Sequence, residues 1–525
     1  MDTKALRQKI LDLAIRGKLV PQNPNDEPAS VLLERIRAEK QQMVKDGKLK
    51  AKDIKNDTVI FLGDDNLHYE KFPDGTVKCI EDEIPFELPE GWEWTRLQAI
   101  CEPITDGTHK TPTYSDEGFI FLSSKNVTSG HIDWDNIMYI PESLHNELYA
   151  RLAPQKNDIL LAKNGTTGVA AIVDRDCIFD IYVSLALLRI IGYIISPEYL
   201  LSTIASSTIQ NYFKSSLKGI GVPNLHLEHI RTTLIPVAPI NEQYRIATKL
   251  EQLLSFADNI ESDKTDLQTT IQLTKSKILD LAIRGKLVPQ NPDDEPASVL
   301  LERIRAEKEE LIKQGKIKRD KKESVIFRGE DNSYYEKIGD TVTCIDEELP
   351  FELPDGWIWC RGSSCFLPME SRKPSGTYFK YIDIDSIDNK HQAIKKAKIT
   401  ETAKAPSRAN RAVFDGSILF SLVRPYLKNI ALVDSNNADS IVSTGFYIAT
   451  SNGTFIPKYL YILMISAYVV NGLNQFMKGD NSPSISKDNI EKWLYPVPPL
   501  AEQEKIADIV QKYIRILEDI EKSLS

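Results

Sequence analysis

ILDLAIRGKLVPQNPNDEPASVLLERIRAEK occupies residues 10–40, and ILDLAIRGKLVPQNPDDEPASVLLERIRAEK occupies residues 278–308. They differ only at Asn25 against Asp293. Chance does not produce this identity, so the chain is built twice. Working outward, CIEDEIPFELPEGWEW (residues 79–94) matches CIDEELPFELPDGWIW (344–359), and IPVAPINEQYRIATKLEQLL (235–254) matches YPVPPLAEQEKIADIVQKYI (495–514). Between these blocks lie residues 95–234 and 360–494, similar in length and almost unrelated in sequence. Only faint echoes survive there: Lys218 and Lys478 each precede a glycine, with Pro223 and Pro483 following, and an apolar run ends in Val-Asp at Asp174 and at Asp434. A scaffold was copied and kept while its two cargoes diverged, which suggests two tasks of one kind with different targets.

The kept scaffold reads as helix. Ile246, Leu250, Leu253, Ala257, Ile260, Lys264, Leu267, Ile271, Thr274, Ile278 and Leu281 step by alternating fours and threes, and nine of these eleven are apolar. That is the seam of a coiled coil. Unbroken from residue 241 to 287, such a helix is roughly 70 Å long. It should stop near Gly285, with Arg284 and Lys286 at its negative end and Pro289 beyond. The tail shows the same seam at Ile506, Val510, Tyr513, Leu517, Ile520 and Leu524, and the head resumes it at Leu6, Ile10 and Leu13. Tail placed before head reproduces the central helix, a cyclic permutation of a two-fold repeat. The broken helix is therefore expected to pack antiparallel to the unbroken one, with the termini close together.

The expected fold class is α+β: two mixed α/β domains separated by a long antiparallel coiled-coil helix pair, with an internal pseudo-two-fold, cyclically permuted repeat. The expected segments are residues 1–94 (rod-completing helix and appendage), 95–239 (first variable domain), 240–289 (central helix), 290–359 (second appendage), 360–499 (second variable domain) and 500–525 (C-terminal rod helix). A second helix in each appendage is expected from near Glu27 and Glu295 through Lys40 and Lys308. Basic, glycine-broken connectors and β-rich runs starting at Thr58 and Ser324 follow it. These appendages read equally as a docking surface for another subunit or as a brace.

Composition narrows the class. The 525 residues are 42% hydrophobic and 27% charged, as in an ordinary globular protein. Residues 1–10 are charged and polar, so no signal peptide is expected, and the longest apolar run, residues 181–195, is interrupted by Arg189 and too short to span a bilayer. A cytoplasmic protein without a membrane role is expected. Six scattered cysteines make no zinc-site spacing and read as reduced thiols. No GxxxxGK[ST] loop, HExxH or GxSxG elbow occurs, and the Gly-Ile-Gly at Gly219 lacks the third glycine of a dinucleotide site. A long duplicated chain without a catalytic motif reads as a binder. The net charge of −10 opposes generic nucleic-acid binding, yet residues 390–411 hold Lys390, Lys395, Lys396, Lys398, Lys404, Arg408 and Arg411 against Glu401 alone. That run is either a DNA-facing patch or a solvated face.

Three features together resemble the specificity subunits of type I restriction–modification systems: the Leu-Pro-acid-Gly-Trp-x-Trp blocks ending at Trp94 and Trp359, the PINEQ and PLAEQ blocks at residues 239–243 and 499–503, and the IRGKLVPQ repeat. The Asp-Gly-Thr-His of residues 106–109 and the FLSSKNV of residues 121–127 are similar to target-recognition-domain motifs of that family. The resemblance implies a non-catalytic subunit that binds double-stranded DNA. Each target recognition domain would read one half of a bipartite asymmetric site, and the rod would set the spacer. It also implies two modification subunits that bind S-adenosylmethionine, up to two restriction subunits that use ATP and Mg, and no cofactor on this chain. A modification-only system and a bivalent protein-binding scaffold are the alternatives. A nuclease or methyltransferase is disfavoured by the missing motifs.

Bases are distinguished by donors and acceptors on groove edges, best met by basic and amide side chains on positioned loops. In the first domain the candidates are Thr105, Asp106, Thr108, His109 and Lys110, then Ser123, Lys125 and Asn126, then Lys163, Asn164 and Thr166, and finally Lys218 and Asn224. In the second they are Arg372 and Lys373, at the place expected to match residues 106–109, followed by Arg408, Arg411, Arg424, Tyr426, Lys478 and Asn481. Each loop could equally be a turn satisfying its own backbone. Trp92, Trp94, Trp357 and Trp359 belong to the repeated scaffold, so they read as packing at the domain entrance rather than as stacking platforms.

Overall fold

The computed structural model describes residues 2–127, 130–217, 223–317 and 323–524, apart from the side chain of Tyr193. Packing divides the chain into two units, residues 1–263 and 264–525. The 44-residue helix Ile240–Ile283 gives its first half to one and its second half to the other.

In the first unit, the variable region is closed at its base by a two-stranded clasp. Strand Glu93–Arg96 pairs antiparallel with Leu234–Val237, so that Trp94 lies opposite Pro236. Two blocks repeated in the sequence are thus strand partners at the entrance and exit of one domain. A four-stranded sheet follows, in the order Thr105–Asp106, Leu185–Leu188, Ile159–Ala162, Ala170–Ile172. A three-stranded sheet, Phe179–Ile181, Phe119–Leu122, Met138–Ile140, stands beside it, its first pair parallel. Ile159–Ala162 is buried at every position, which explains its unbroken apolar run. One face packs with Ile10, Ala14, Ile36, Trp92, Ile246 and Leu250, and the other with Trp134, Val173 and Phe179.

Helix Thr3–Ile15 runs antiparallel to the first half of the long helix, with Thr3 bonded to Glu261 and Arg7 to both Glu261 and Asp258. It stops at Gly17, whose φ of +63° suits glycine and whose Cβ, if present, would lie 2.4 Å from Pro89 Cγ. The next helix is Ala29–Lys45, beginning later than the expected Glu27 because Pro28 precedes it as the cap. A three-stranded meander (Val59–Leu62, His68–Lys71, Val77–Cys79) then docks on the clasp, where Arg96 Nη2 donates to Glu70 Oε2 and Glu83 Oε2, both at 2.7 Å.

The second unit repeats this plan. The clasp is Ile358–Arg361 with Leu494–Val497, and the meander is Ser324–Arg328, Tyr334–Ile338, Thr341–Cys344, tied by Arg361 to Glu336 and Glu348. Helix Leu500–Ser523 runs antiparallel to the second half of the long helix, with Lys505 near Asp294 and Glu521 near Lys275. The long helix ends at Ile283, short of the expected 287, where Lys286 N–H donates back to the Leu281 carbonyl and Gly285 turns at φ +65°. On the expected seam Ile246, Leu250, Ala257 and Ile271 are buried, whereas Leu267 is exposed.

The repeated motifs acquire reasons. Trp92 Nε1 donates to Glu242 at 3.1 Å, and Trp357 Nε1 to Glu502 at 2.8 Å. Gln243 accepts from Ser196 N–H and donates to the Ala238 carbonyl, and Gln503 does the same with Ile456 and Pro498. Burial raises the carboxyls of Glu242 and Glu502 above their ordinary range. All four tryptophans of the repeated blocks are buried. Among the described residues, no helix is long and apolar enough to cross a membrane, and no cluster of His, Cys, Asp and Glu could hold a metal.

Candidate nucleic-acid interface

In the first unit the candidate loops converge at one end of the sheets. Lys163 N–H donates to the Ser184 carbonyl at 2.8 Å, and its own carbonyl accepts from Leu225 N–H at 2.9 Å. Asn164 and Asn224 form an isolated bridge. Ser124 N–H donates to Ser184 Oγ at 2.9 Å, and Thr108 bridges to Tyr182. Four loops distant in sequence thus lie side by side. Lys218 lies outside the described residues.

Within that cluster the side chains divide into two groups. Asp106 and Lys163 form an ion pair with both side chains only 7% exposed, and Arg151 donates to the Asp106 carbonyl at 2.8 Å. Asn126 is buried: its Oδ1 accepts from Ser123 N–H at 2.9 Å, and its Nδ2 donates to the Asp133 and Asn136 carbonyls. These three side chains hold the loops in shape and do not face outward, which corrects their candidacy as direct base contacts. Thr105 lies in a strand opposite Leu187. His109, Lys110, Lys125 and Thr166 are exposed, Thr108, Ser123 and Asn164 partly so. Asn164 Oδ1 and Asn224 Oδ1 are buried without a hydrogen-bond partner among the described residues, an unsatisfied arrangement that costs free energy.

The second unit builds the same end from different residues. Leu422 N–H donates to the Gly445 carbonyl at 2.8 Å, and the Leu422 carbonyl accepts from Ile485 N–H at 2.9 Å. Val423 bridges to Ser484. Leu422 therefore stands where Lys163 stands, and Arg424 where Gly165 stands. Gly165 has φ +78° and Arg424 φ +47°, so the backbone there turns left-handed in both units. For arginine this conformation is strained by about 1–3 kcal/mol. Arg424 N–H donates to the Pro483 carbonyl and Nη2 to the Asn481 carbonyl, both at 2.8 Å. This joins the Arg424–Tyr426 turn to the Lys478–Asn481 turn. Lys428, also left-handed at φ +54° and exposed, completes the turn. Sequence reasoning missed it, although it lies two residues after Tyr426.

Residues 366 and 367 leave the sheet as residues 101 and 102 do: Phe366 bridges Ser451 as Cys101 bridges Ile190, and Leu367 N–H donates to the Thr450 carbonyl as Glu102 N–H donates to that of Arg189. Residues 368–375 therefore start at the expected place, but one hydrogen bond there is taken over by another segment. Val183 N–H donates to the Thr108 carbonyl at 3.0 Å in the first unit, and Thr444 N–H donates to the Arg408 carbonyl at 2.8 Å in the second. Arg408, in the turn before strand Ala409–Ala412, thus takes the place of Thr108 in this hydrogen bond. Arg372 and Lys373 lie beside it, Arg372 N–H reaching the Asn410 carbonyl at 3.4 Å and its guanidinium lying 5.9 Å from the Phe414 ring. Arg411 is half-buried in strand Ala409–Ala412, with Nε unpartnered among the described residues. Of the basic run, Lys398 is held by Asp383 at 2.6 Å and Lys404 by Glu401 at 2.8 Å, while Lys395, Lys396 and Arg408 are exposed.

The profile of the type I restriction modification DNA specificity domain matches residues 89–268 and 367–525. The chain belongs to this family. Both matches cover a variable region and the helix that follows it, so the specificity domain is present twice. Similar proteins include the type I restriction enzyme EcoAI specificity subunit of Escherichia coli, 29% identical over 98% of this chain and 89% of the relative. The EcoEI specificity subunit of the same organism is 27% identical over 99% and 90%. A chain from a solved structure titled for complex assembly and conformational transition of the type I R-M system aligns with 84% of this chain and 94% of its own length. Its TM-score is 0.55 at 18% identity, which supports the specificity-domain fold.

Proposed function

We propose that this chain is the non-catalytic DNA specificity subunit of a type I restriction–modification complex, in which each variable region reads one half of a bipartite asymmetric site in double-stranded DNA. The observation that carries the reading is the loop cluster of each unit. The same backbone frame presents His109, Lys110, Lys125 and Thr166 in one and Arg408, Arg424, Tyr426 and Lys478 in the other. One frame with two sets of groups reads two different sequences.

Residues 95–239 and 360–499 are the target recognition domains in this reading, and the antiparallel helices are a spacer ruler between them. The chain scaffolds two modification subunits and up to two restriction subunits. S-adenosylmethionine belongs to the former and ATP with Mg to the latter. Net acidity is tolerable because partner subunits contribute phosphate contacts. Methylome sequencing of cells carrying the chain with its modification partner tests the proposal. A split motif with methyladenine in both halves, lost on deletion of the chain, is the expected result; an unchanged methylome on deletion overturns it.

A further inference from the structure

The two units also differ away from the loop clusters. In the second, Tyr468 stands at the start of helix Ala467–Asn474. Its ring packs on Trp493, Phe351 and Trp359, with centroids 5.3, 5.4 and 6.3 Å away, and its hydroxyl donates to the Leu494 carbonyl at 2.7 Å. The first unit keeps the frame. Phe86 meets Trp94 at 5.0 Å and 58°, as Phe351 meets Trp359. Leu234 lies opposite Arg96, as Leu494 lies opposite Arg361.

The residues that carry two of these rings, Tyr468 and Trp493, are threonines in the first unit. Ser206 and Ser466 precede the two helices with the same hydroxyl bond back, 2.6 Å, to Thr203 and Leu463. Thr208 therefore holds the place of Tyr468. Leu97 N–H reaches the Thr233 carbonyl as Gly362 N–H reaches that of Trp493, so Thr233 holds the place of Trp493. A cavity of about 990 Å³ opens here, lined by Thr58, Pro85, Arg96, Thr208, Tyr212 and Leu234 among others. Exposed Tyr212, its hydroxyl 3.4 Å from Thr232 Oγ1, lines the cavity from the position of Gly472, where a Cβ would lie 2.2 Å from Trp493; it takes the side of Trp493 and leaves the place of Tyr468 to Thr208.

We infer that this cavity receives a tyrosine side chain from a partner protein, whose hydroxyl donates to the Leu234 carbonyl as Tyr468 donates to Leu494. The second unit shows the occupant that the frame accepts. The cavity is larger than one ring needs and its lining also includes Lys55, Asp74, Glu228 and Arg231, which suits the polar backbone flanking a tyrosine. Because the second unit is already filled in cis, a partner that docks this way distinguishes one end of the duplicated chain from the other. The inference does not depend on what the loop clusters read.

The test uses the full chain, saturation-transfer NMR and three probes: acetyl-Gly-Tyr-Gly-amide, its phenylalanine counterpart and p-cresol. The tyrosine peptide is expected to bind saturably, and the phenylalanine peptide about fivefold more weakly for loss of one hydrogen bond. Thr208→Tyr should fill the cavity and abolish binding, and Tyr468→Thr should add a second site of the same preference. Peptide binding unchanged in folded Thr208→Tyr protein overturns the inference, as does absence of saturable peptide binding. Binding of p-cresol without the peptide also overturns it, since the cavity then takes small phenols. Should Thr208→Tyr not fold, the Tyr468→Thr titration decides, and a site count unchanged from the parent chain sinks the inference.

Discussion

Set side by side, the loop clusters of the two units share part of a backbone frame and few side chains. Lys163 and Leu422 make the same two backbone hydrogen bonds, yet one is half of a buried ion pair and the other packs among apolar side chains. Gly165 and Arg424 share a left-handed turn that glycine makes without strain and arginine does not. Thr108 and Arg408 accept the same backbone hydrogen bond, from segments that reach it by different routes. At the base of each unit the comparison reverses. Trp92–Glu242 repeats as Trp357–Glu502, and Arg96–Glu70 as Arg361–Glu336, side chain for side chain. Divergence is greatest at the loop clusters, and these scaffold pairs persist at the base.

The contrast breaks most readily at the buried pair. Lys163→Leu imports the residue of the other unit but strands Asp106 in the interior. It should destabilise the first unit by about 3–5 kcal/mol in urea denaturation, and replacing Asp106 by an apolar residue as well should recover most of this. A neutral single variant would show that the pair is not structural.

Arg424→Ala sharpens the other side of the comparison. Loss of about 1–3 kcal/mol in binding to one half-site, with the other half-site's preference intact, is expected from competition assays on randomised DNA. A uniform loss across all sequences would reduce Arg424 to a phosphate contact.

Gly17→Ala and Gly285→Ala probe the shared base. Each meets a proline ring at 2.4 Å and a positive φ, so each should lower stability by about 1–2 kcal/mol, equally in both units. Unequal losses would show that the repeated stops are not equivalent.

The smallest effect is a shared acid weakness. Burial acts to raise the carboxyls of Glu70 and Glu336, but bonds from Arg96 and Thr58, and from Arg361 and Ser324, outweigh it and hold both below their usual range. A depressed carboxyl contributes stability that is complete above its unfolded value and lost as pH falls through the folded one. Hydrogen exchange in both meanders should therefore accelerate together below about pH 4.3. Loss in one meander alone would contradict their equivalence.

What was legible in the sequence follows from repetition and period. The duplication, the long helix, its glycine stop and the packing role of the four tryptophans were all readable, because identical segments meet identical local physics. Turns near Asn164 and Lys478 were readable as well, since Gly, Asn and Lys mark them. The sequence alone determined that there are two units of one design with divergent ends. Only the tertiary structure decided which polar residues at those ends point outward: Asp106, Asn126 and Lys163 looked like readers and are buried braces. It alone gave Arg408 the hydrogen bond of Thr108 and left a cavity where Tyr468 has no counterpart. The physical reason is the same in each case. Periodicity and motif are local properties, whereas burial, pairing and vacancy are set by segments distant in the chain that only the fold brings into contact.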